Sequence, residues 1–204
     1  MMKRIGIMGG SFDPVHNGHL EMAEIAYKKL NLDVVWFMPT AKPGSYKKRK
    51  LDASNKERLE MVRLAISEYD EFVLSLEEYK RRGTIYTADT LQILTKKYSD
   101  TEWYFILGGD SLMQITTWKT PEIIFELSNI VAFTRADVDY PKALLLSENL
   151  KETYNAKVTV LDDKIPDVSS TQIREMIKNK EDIMGLLPKS VYEYIINNEI
   201  YGKL

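Results

Sequence analysis

Apolar positions along the chain fall into two patterns. Short runs dominated by valine, isoleucine, leucine and aromatic residues predict buried strands at residues 5–8, 33–38, 72–76, 102–107, 130–133 and 158–161. Between them, apolar residues recur at helical spacing. Leu20, Ala23, Ala26, Tyr27 and Leu30 share one face of a predicted helix over 17–30, opened by Asn17 as its cap. Leu59, Val62, Ala65 and Ile66 face inward from a second helix, which Ser54 and Glu57 open as a capping box, each satisfying a backbone donor near the other. Further helices are predicted over 87–98, 121–127 and 141–154, and two or three C-terminal ones include 190–198. Gly9-Gly10, Pro39, Pro43-Gly44 and Gly108-Gly109-Asp110 mark turns at strand ends.

Strands separated by helices of this length imply right-handed crossovers and a Rossmann-like α/β fold with a mostly parallel sheet. No repeat, low-complexity tract or interdomain linker interrupts the pattern. Residues 1–204 therefore read as a single domain with a small helical C-terminal portion from about 165 to 204. Ligands in such folds bind beyond the carboxyl ends of the strands, near the reversal in strand order. Both Gly9-Gly10 and Gly108-Gly109-Asp110 fall at that edge.

Composition narrows the chemistry. The chain has 28 Lys and Arg against 30 Asp and Glu, a net charge of −2, which argues against a dedicated nucleic-acid binder. It has no cysteine, which removes disulfides and cysteine-ligated metals and fits a reducing, cytoplasmic setting. No apolar run approaches the roughly 20 residues of a membrane span, so no membrane partner is expected. Basic clusters at Lys47-Lys48-Arg49-Lys50 and Lys80-Arg81-Arg82 are either solvated loops or anion-steering surfaces.

Only two histidines occur in the 204 residues, and both lie in GGSFDPVHNGHL, at His16 and His19. As a metal site the pair lacks a third histidine or cysteine. As a hydrolase base it lacks a Gly-x-Ser-x-Gly nucleophile elbow. The pair could simply cap and pack a helix start. A phosphate-binding reading uses more of its neighbours: Gly9 and Gly10 let backbone N–H groups approach an anion, and a helix start adds donors and its positive dipole end. Far downstream, Ser169-Ser170-Thr171-Gln172 reads as a helix cap. It also presents hydroxyls, a helix N-terminus and Arg174 one turn in, which suits a polyphosphate.

Together these motifs resemble a known superfamily. Gly10-Ser11-Phe12-Asp13-Pro14 followed by His16, Gly18 and His19, with Val168-Ser169-Ser170-Thr171-Gln172-Ile173-Arg174 downstream, is similar to the HxGH and SSTxIR signatures of nucleotidyltransferases. Gly83 to Thr90, Leu107-Gly108-Gly109-Asp110-Ser111 with Trp118, and Leu187-Pro188 with Val191, Tyr194-Ile195 and Ile200-Tyr201 resemble segments of bacterial nicotinate-mononucleotide adenylyltransferases. Two stretches and one residue depart from that pattern, the residue being Ile85 where serine is frequent. The loop Lys42-Pro43-Gly44-Ser45-Tyr46-Lys47 lacks the family's Pro-Pro-His-Lys, leaving Lys42 or Lys47 in its place, and Arg135-Ala136-Asp137 replaces Arg-Pro-Gly.

The resemblance implies transfer of AMP from ATP to nicotinate mononucleotide, with Mg²⁺ arriving on ATP and no metal site of the protein's own. It assigns His16, His19 and Arg174 to the ATP phosphates, supported by Gly9, Gly10, Ser11, Phe12, Gly18, Gly108, Asp110, Ser169, Ser170 and Thr171. Tyr86, Thr87, Trp118, Lys47 and Arg135 fall to the mononucleotide, with Trp118 stacking on the pyridine ring. Its partners would be these two nucleotides, and a homo-oligomer is compatible with it. Rival readings are a related adenylyltransferase with a nicotinamide-mononucleotide or phosphopantetheine acceptor, and a non-catalytic nucleotide sensor.

Overall fold

A computed structural model describes residues 2–42, 51–134 and 140–202. The expected turn at Pro43-Gly44, the run Lys47-Lys48-Arg49-Lys50 and Arg135 lie outside these residues.

Six strands, β1 (Lys3–Gly10), β2 (Val34–Pro39), β3 (Phe72–Leu74), β4 (Thr101–Gly108), β5 (Asn129–Phe133) and β6 (Val158–Leu161), form one sheet in the order β3-β2-β1-β4-β5-β6. Every pairing is parallel. The chain steps outward from β1 to β3 and then returns to β4 on the other side of β1. The reversal in strand order, where a ligand crevice opens, therefore lies between β1 and β4.

Helices cover both faces. α1 (Asn17–Lys29), α2 (Asn55–Ala65), α7 (Ser170–Lys178) and α8 (Lys189–Asn197) share one apolar core with Tyr104, Ile106 and Phe37 of the sheet. α3 (Thr87–Lys97), α4 (Gly109–Gln114), α5 (Pro121–Leu127) and α6 (Tyr140–Tyr154) pack over Ile5, Ile7, Trp103, Phe105 and Leu107 on the other. Side chains alternate across each strand, so one β4 strand feeds both cores. At Gly6 a β-carbon would stand 2.9 Å from a Leu32 methyl and 3.1 Å from Ile106 and Val35 methyls, so glycine lets the segment after α1 pack closely on the sheet.

The predicted elements recur within a residue or two, with informative exceptions. Gly9 and Gly10 are not a turn: they are the last paired residues of β1, opposite Met38 and Pro39. The third strand stops at Leu74 rather than continuing to 76: Ser75 N–H still donates to Phe37 O at 2.8 Å, and the chain then turns over 77–80. The Ser54–Glu57 box is present, with the serine Oγ accepting from Glu57 N–H at 3.3 Å and the glutamate accepting from Ser54 N–H at 2.6 Å. On α2, however, Leu59 is only half-buried, and the inward stripe is Arg58, Met61, Val62 and Ala65. Among the described residues no helix is long and apolar enough to cross a membrane.

Candidate active site

Beyond β1 and β4 opens a cavity of about 390 Å³, lined by the glycine end of β1, the head of α1, the turn after β2, the start of α3, the β4–α4 junction and the approach to α7. Its first wall is the turn from Ser11 to His16. Phe12 adopts a left-handed backbone, φ 49°, a rare state for a bulky residue that needs firm surroundings. The next residue, Asp13, is 2% exposed and holds the turn in place. Its Oδ1 accepts from Ala53 N–H at 3.1 Å and from the Tyr201 hydroxyl at 2.8 Å, and its Oδ2 accepts from Asp52 N–H at 3.0 Å. Burial, and then the adjacent Asp13 charge, push the Tyr201 phenol far above the usual tyrosine range, so it stays protonated as a donor.

His16, not Asn17, is the N-cap of α1. Asn17 begins the helix, and its side chain donates to Gly185 O at 2.8 Å. The two histidines form a reciprocal pair. His16 N–H donates to His19 Nδ1 at 3.2 Å, and His19 N–H donates back to His16 O at 2.9 Å. Because Nδ1 of His19 accepts, a neutral His19 carries its proton on Nε2 and is a donor there. The rings lie 3.7 Å apart at 31°, and Phe12 sets its edge against His19 at 5.0 Å. Capping and cavity lining are thus one arrangement rather than rival roles. Gly18 sits in close contact: a β-carbon there would meet His16 Nδ1 at 3.1 Å and Val168 Cγ1 at 3.3 Å.

The second motif closes the opposite side. Ser169 caps α7, accepting from Gln172 N–H at 3.1 Å. Ser170 donates to Pro14 O at 2.7 Å, joining the two motifs across 156 positions of sequence, and it lines the cavity. Ser169 and Thr171 do not line it. Neither does Arg174, which is 4% exposed behind the Ser11–His16 turn. Its guanidinium donates to Asp13 O and, at 2.9 Å, to Thr171 Oγ1, and its Nε lies 3.1 Å from an Asp52 oxygen.

On the remaining walls, Gly108, Asp110, Thr87 and Trp118 line the cavity. Trp118 stands edge-to-face with Phe105 at 6.2 Å. Tyr86 does not line it. It caps α3 by backbone, with the Lys119 ammonium 4.5 Å over its ring. Lys47 and Arg135 lie outside the described residues. Three residues that motif reading passed over also belong here. Thr40 and Glu78 line the cavity, and Glu78 accepts from the buried Thr90 hydroxyl at 3.0 Å. Arg58 lies fully buried beneath it; an arginine on the apolar stripe of α2 was the signal available for it. Among the described residues no group of three or more His, Asp or Glu is placed to hold a metal ion.

The arrangement offers imidazole, hydroxyl and backbone donors and the positive ends of α1 and α7 to a polyanion, together with an aromatic face on Trp118. Comparison with known proteins agrees. The pattern of the cytidylyltransferase-like family matches residues 7–176. A protein of Lachnoclostridium phytofermentans described as a probable nicotinate-nucleotide adenylyltransferase is 42% identical over 98% of this chain and 100% of its own length. One of Bacillus cytotoxicus with the same description is 40% identical over 98% and 99%. The fold superposes on Plasmodium falciparum nicotinic acid mononucleotide adenylyltransferase complexed with NaAD, TM-score 0.78 at 20% identity, covering 98% and 97% of the two chains. With both signature motifs meeting in one cavity and full-length relatives at this identity, the chain belongs to the cytidylyltransferase-like family and groups there with the nicotinate-nucleotide adenylyltransferases.

Proposed function

We propose that this protein is a nicotinate-nucleotide adenylyltransferase acting on ATP and nicotinate mononucleotide, with residues 1–204 as one catalytic domain. The observation that carries the reading is the close His16–His19 pair at the head of α1, sharing one cavity with Ser170 of α7 and with Thr87 and Trp118. In the reaction a 5′-phosphate oxygen of the mononucleotide bonds to the α-phosphorus of ATP. The bond from that phosphorus to the β-bridging oxygen breaks, its electron pair leaves with pyrophosphate, and deamido-NAD results. The nucleophile is already anionic near neutral pH, so no base is required. Catalysis consists of alignment and of stabilising charge that grows on the leaving group.

His16, His19 and Ser170 face the nucleotide phosphates in this reading, with Gly9, Gly10, Ser11 and Gly18 giving them room. Arg174 contributes its charge from behind the turn. Mg²⁺ enters as part of the ATP substrate. Thr87 and Trp118 receive the acceptor, the tryptophan face lying against the pyridine ring. The test is pyrophosphate release with ATP or CTP against nicotinate mononucleotide, nicotinamide mononucleotide and phosphopantetheine. ATP with nicotinate mononucleotide should be fastest. Preference for another pair would reassign the acceptor or donor, and silence with every pair would leave a nucleotide sensor.

A further inference from the structure

The cavity presents a charge problem. Among the described residues its lining includes two carboxylates, Glu78 and Asp110, and no lysine or arginine. Among the described lining residues a triphosphate would meet imidazoles, hydroxyls and helix ends, but no full cation. Directly behind the wall lies Arg58, 0% exposed. Its guanidinium donates to Ser11 O at 2.5 Å, Thr40 O at 2.9 Å, Asn55 Oδ1 at 2.5 Å and, at 3.4 Å, the Tyr79 hydroxyl. All four partners are neutral. The buried carboxylate of the same turn, Asp13, is taken up by Asp52, Ala53 and Tyr201. A fully buried cation without a carboxylate partner is expensive to maintain, unless an anion brought by a ligand completes it.

The two carbonyls it grips are not arbitrary. Ser11 opens the turn after β1, Thr40 opens the turn after β2, and both line the cavity. Thr40 N–H already donates to Gly10 O at 2.8 Å, so the two turns are joined on one side by backbone and on the other by Arg58. A trans peptide points its N–H opposite to its C=O. Turning Ser11 C=O toward Arg58 therefore turns the N–H of Phe12, the residue held at φ 49°, away from the arginine.

We propose that Arg58 is a positioning residue for the triphosphate: it locks the strand-end turns at Ser11 and Thr40 and sets a full positive charge beneath them. The proposal rests on the reading of this cavity as a polyphosphate site. Its test compares Arg58→Met and Arg58→Lys with wild type by calorimetric titration of tripolyphosphate and, separately, of adenosine, which carries no phosphate. Loss of a charged donor set predicts a roughly tenfold or greater weakening of tripolyphosphate binding in the Met variant, with adenosine binding unchanged. The Lys variant keeps the charge but not the two-pronged geometry and should fall between. Equal weakening of both ligands would make Arg58 merely structural, and unchanged tripolyphosphate binding in the variants, or none in wild type, would overturn the proposal. If the Met variant shows no cooperative unfolding transition, the Lys variant decides by the same comparison. Turnover assays keep the two readings separate. A wild type that binds tripolyphosphate in the expected order but does not adenylate nicotinate mononucleotide refutes the acceptor and supports Arg58. An active enzyme whose variants bind tripolyphosphate normally does the reverse.

Discussion

Gly18→Ala is a small change with a calculable effect. The added methyl carbon would stand 3.1 Å from His16 Nδ1, 3.2 Å from His16 Cε1 and 3.3 Å from Val168 Cγ1. Comfortable contact begins at about 3.5 Å, so the neighbours must give by a few tenths of an ångström. Neither yields freely: His16 is tied to His19 on one side, and Val168 is 2% exposed and leads into the α7 cap. Gly18 is not among the residues with positive φ, so alanine meets no backbone strain there. It should even gain up to about 1 kcal/mol of helix propensity. Against that, overpacking of this kind costs about 1–3 kcal/mol. The net expectation is a loss of about 0–2 kcal/mol, a decrease of a few degrees in melting temperature. Activity should fall further than stability. A misplacement of about 1 Å costs on the order of 10²-fold, so a few tenths of that predicts a several-fold drop in kcat. Initial rates of pyrophosphate release at saturating substrates, beside thermal unfolding, measure both. Unchanged kcat in a folded variant would show that the seat of His16 against Gly18 is irrelevant to catalysis.

Other consequences can be checked alongside. His19→Ala should lower kcat by roughly 10²-fold, the scale of a lost charge-stabilising donor, while unfolding free energy falls by only about 1–2 kcal/mol for its lost bond; near-normal turnover would remove His19 from the chemistry. Trp118→Ala should raise KM for the mononucleotide several-fold, as expected for about 1 kcal/mol of lost stacking, and leave KM for ATP alone. Tyr201→Phe should change the alkaline limb of stability. An unfolded tyrosine ionises above pH about 10, whereas the buried Tyr201 does not, so its contribution is whole below that pH and shrinks as pH rises past it. Chemical unfolding between neutral pH and pH about 11 should therefore show a flatter alkaline decline in the Phe variant. The flattening is partial, since burial also raises Tyr69, Tyr79, Tyr104 and Tyr194.

Much of the fold could be read from local pattern, because apolar spacing and end chemistry act within one element. The capping box at Ser54 and Glu57 involves residues three apart, and it forms as expected. The motifs that meet at the cavity were also legible, since a histidine pair used nowhere else in the chain invites the question of its purpose. What resisted reading depends on tertiary direction. Arg174 reads as a phosphate contact from its place one turn into α7, yet its guanidinium turns toward Asp13 and Asp52, which no spacing rule foresees. Gly9 and Gly10 look like a turn by composition, but neighbouring β2 extends the ladder through both. Arg58 sits where periodicity expects a hydrophobe, and helical amphipathicity alone cannot tell a buried guanidinium from a misjudged register.

The hydrogen bond from Tyr201 to Asp13 has a meaning for biogenesis. The two residues are separated by 188 positions. A chain made from its amino terminus exposes Asp13 first, long before its phenol partner leaves the ribosome. The strands β1 and β2 and the helix between them can pair early, as local units do. The carboxylate, however, lacks its phenol donor until the segment that follows α8 has docked. The turn that carries His16 therefore completes its hydrogen bonding only after residue 201 has been made.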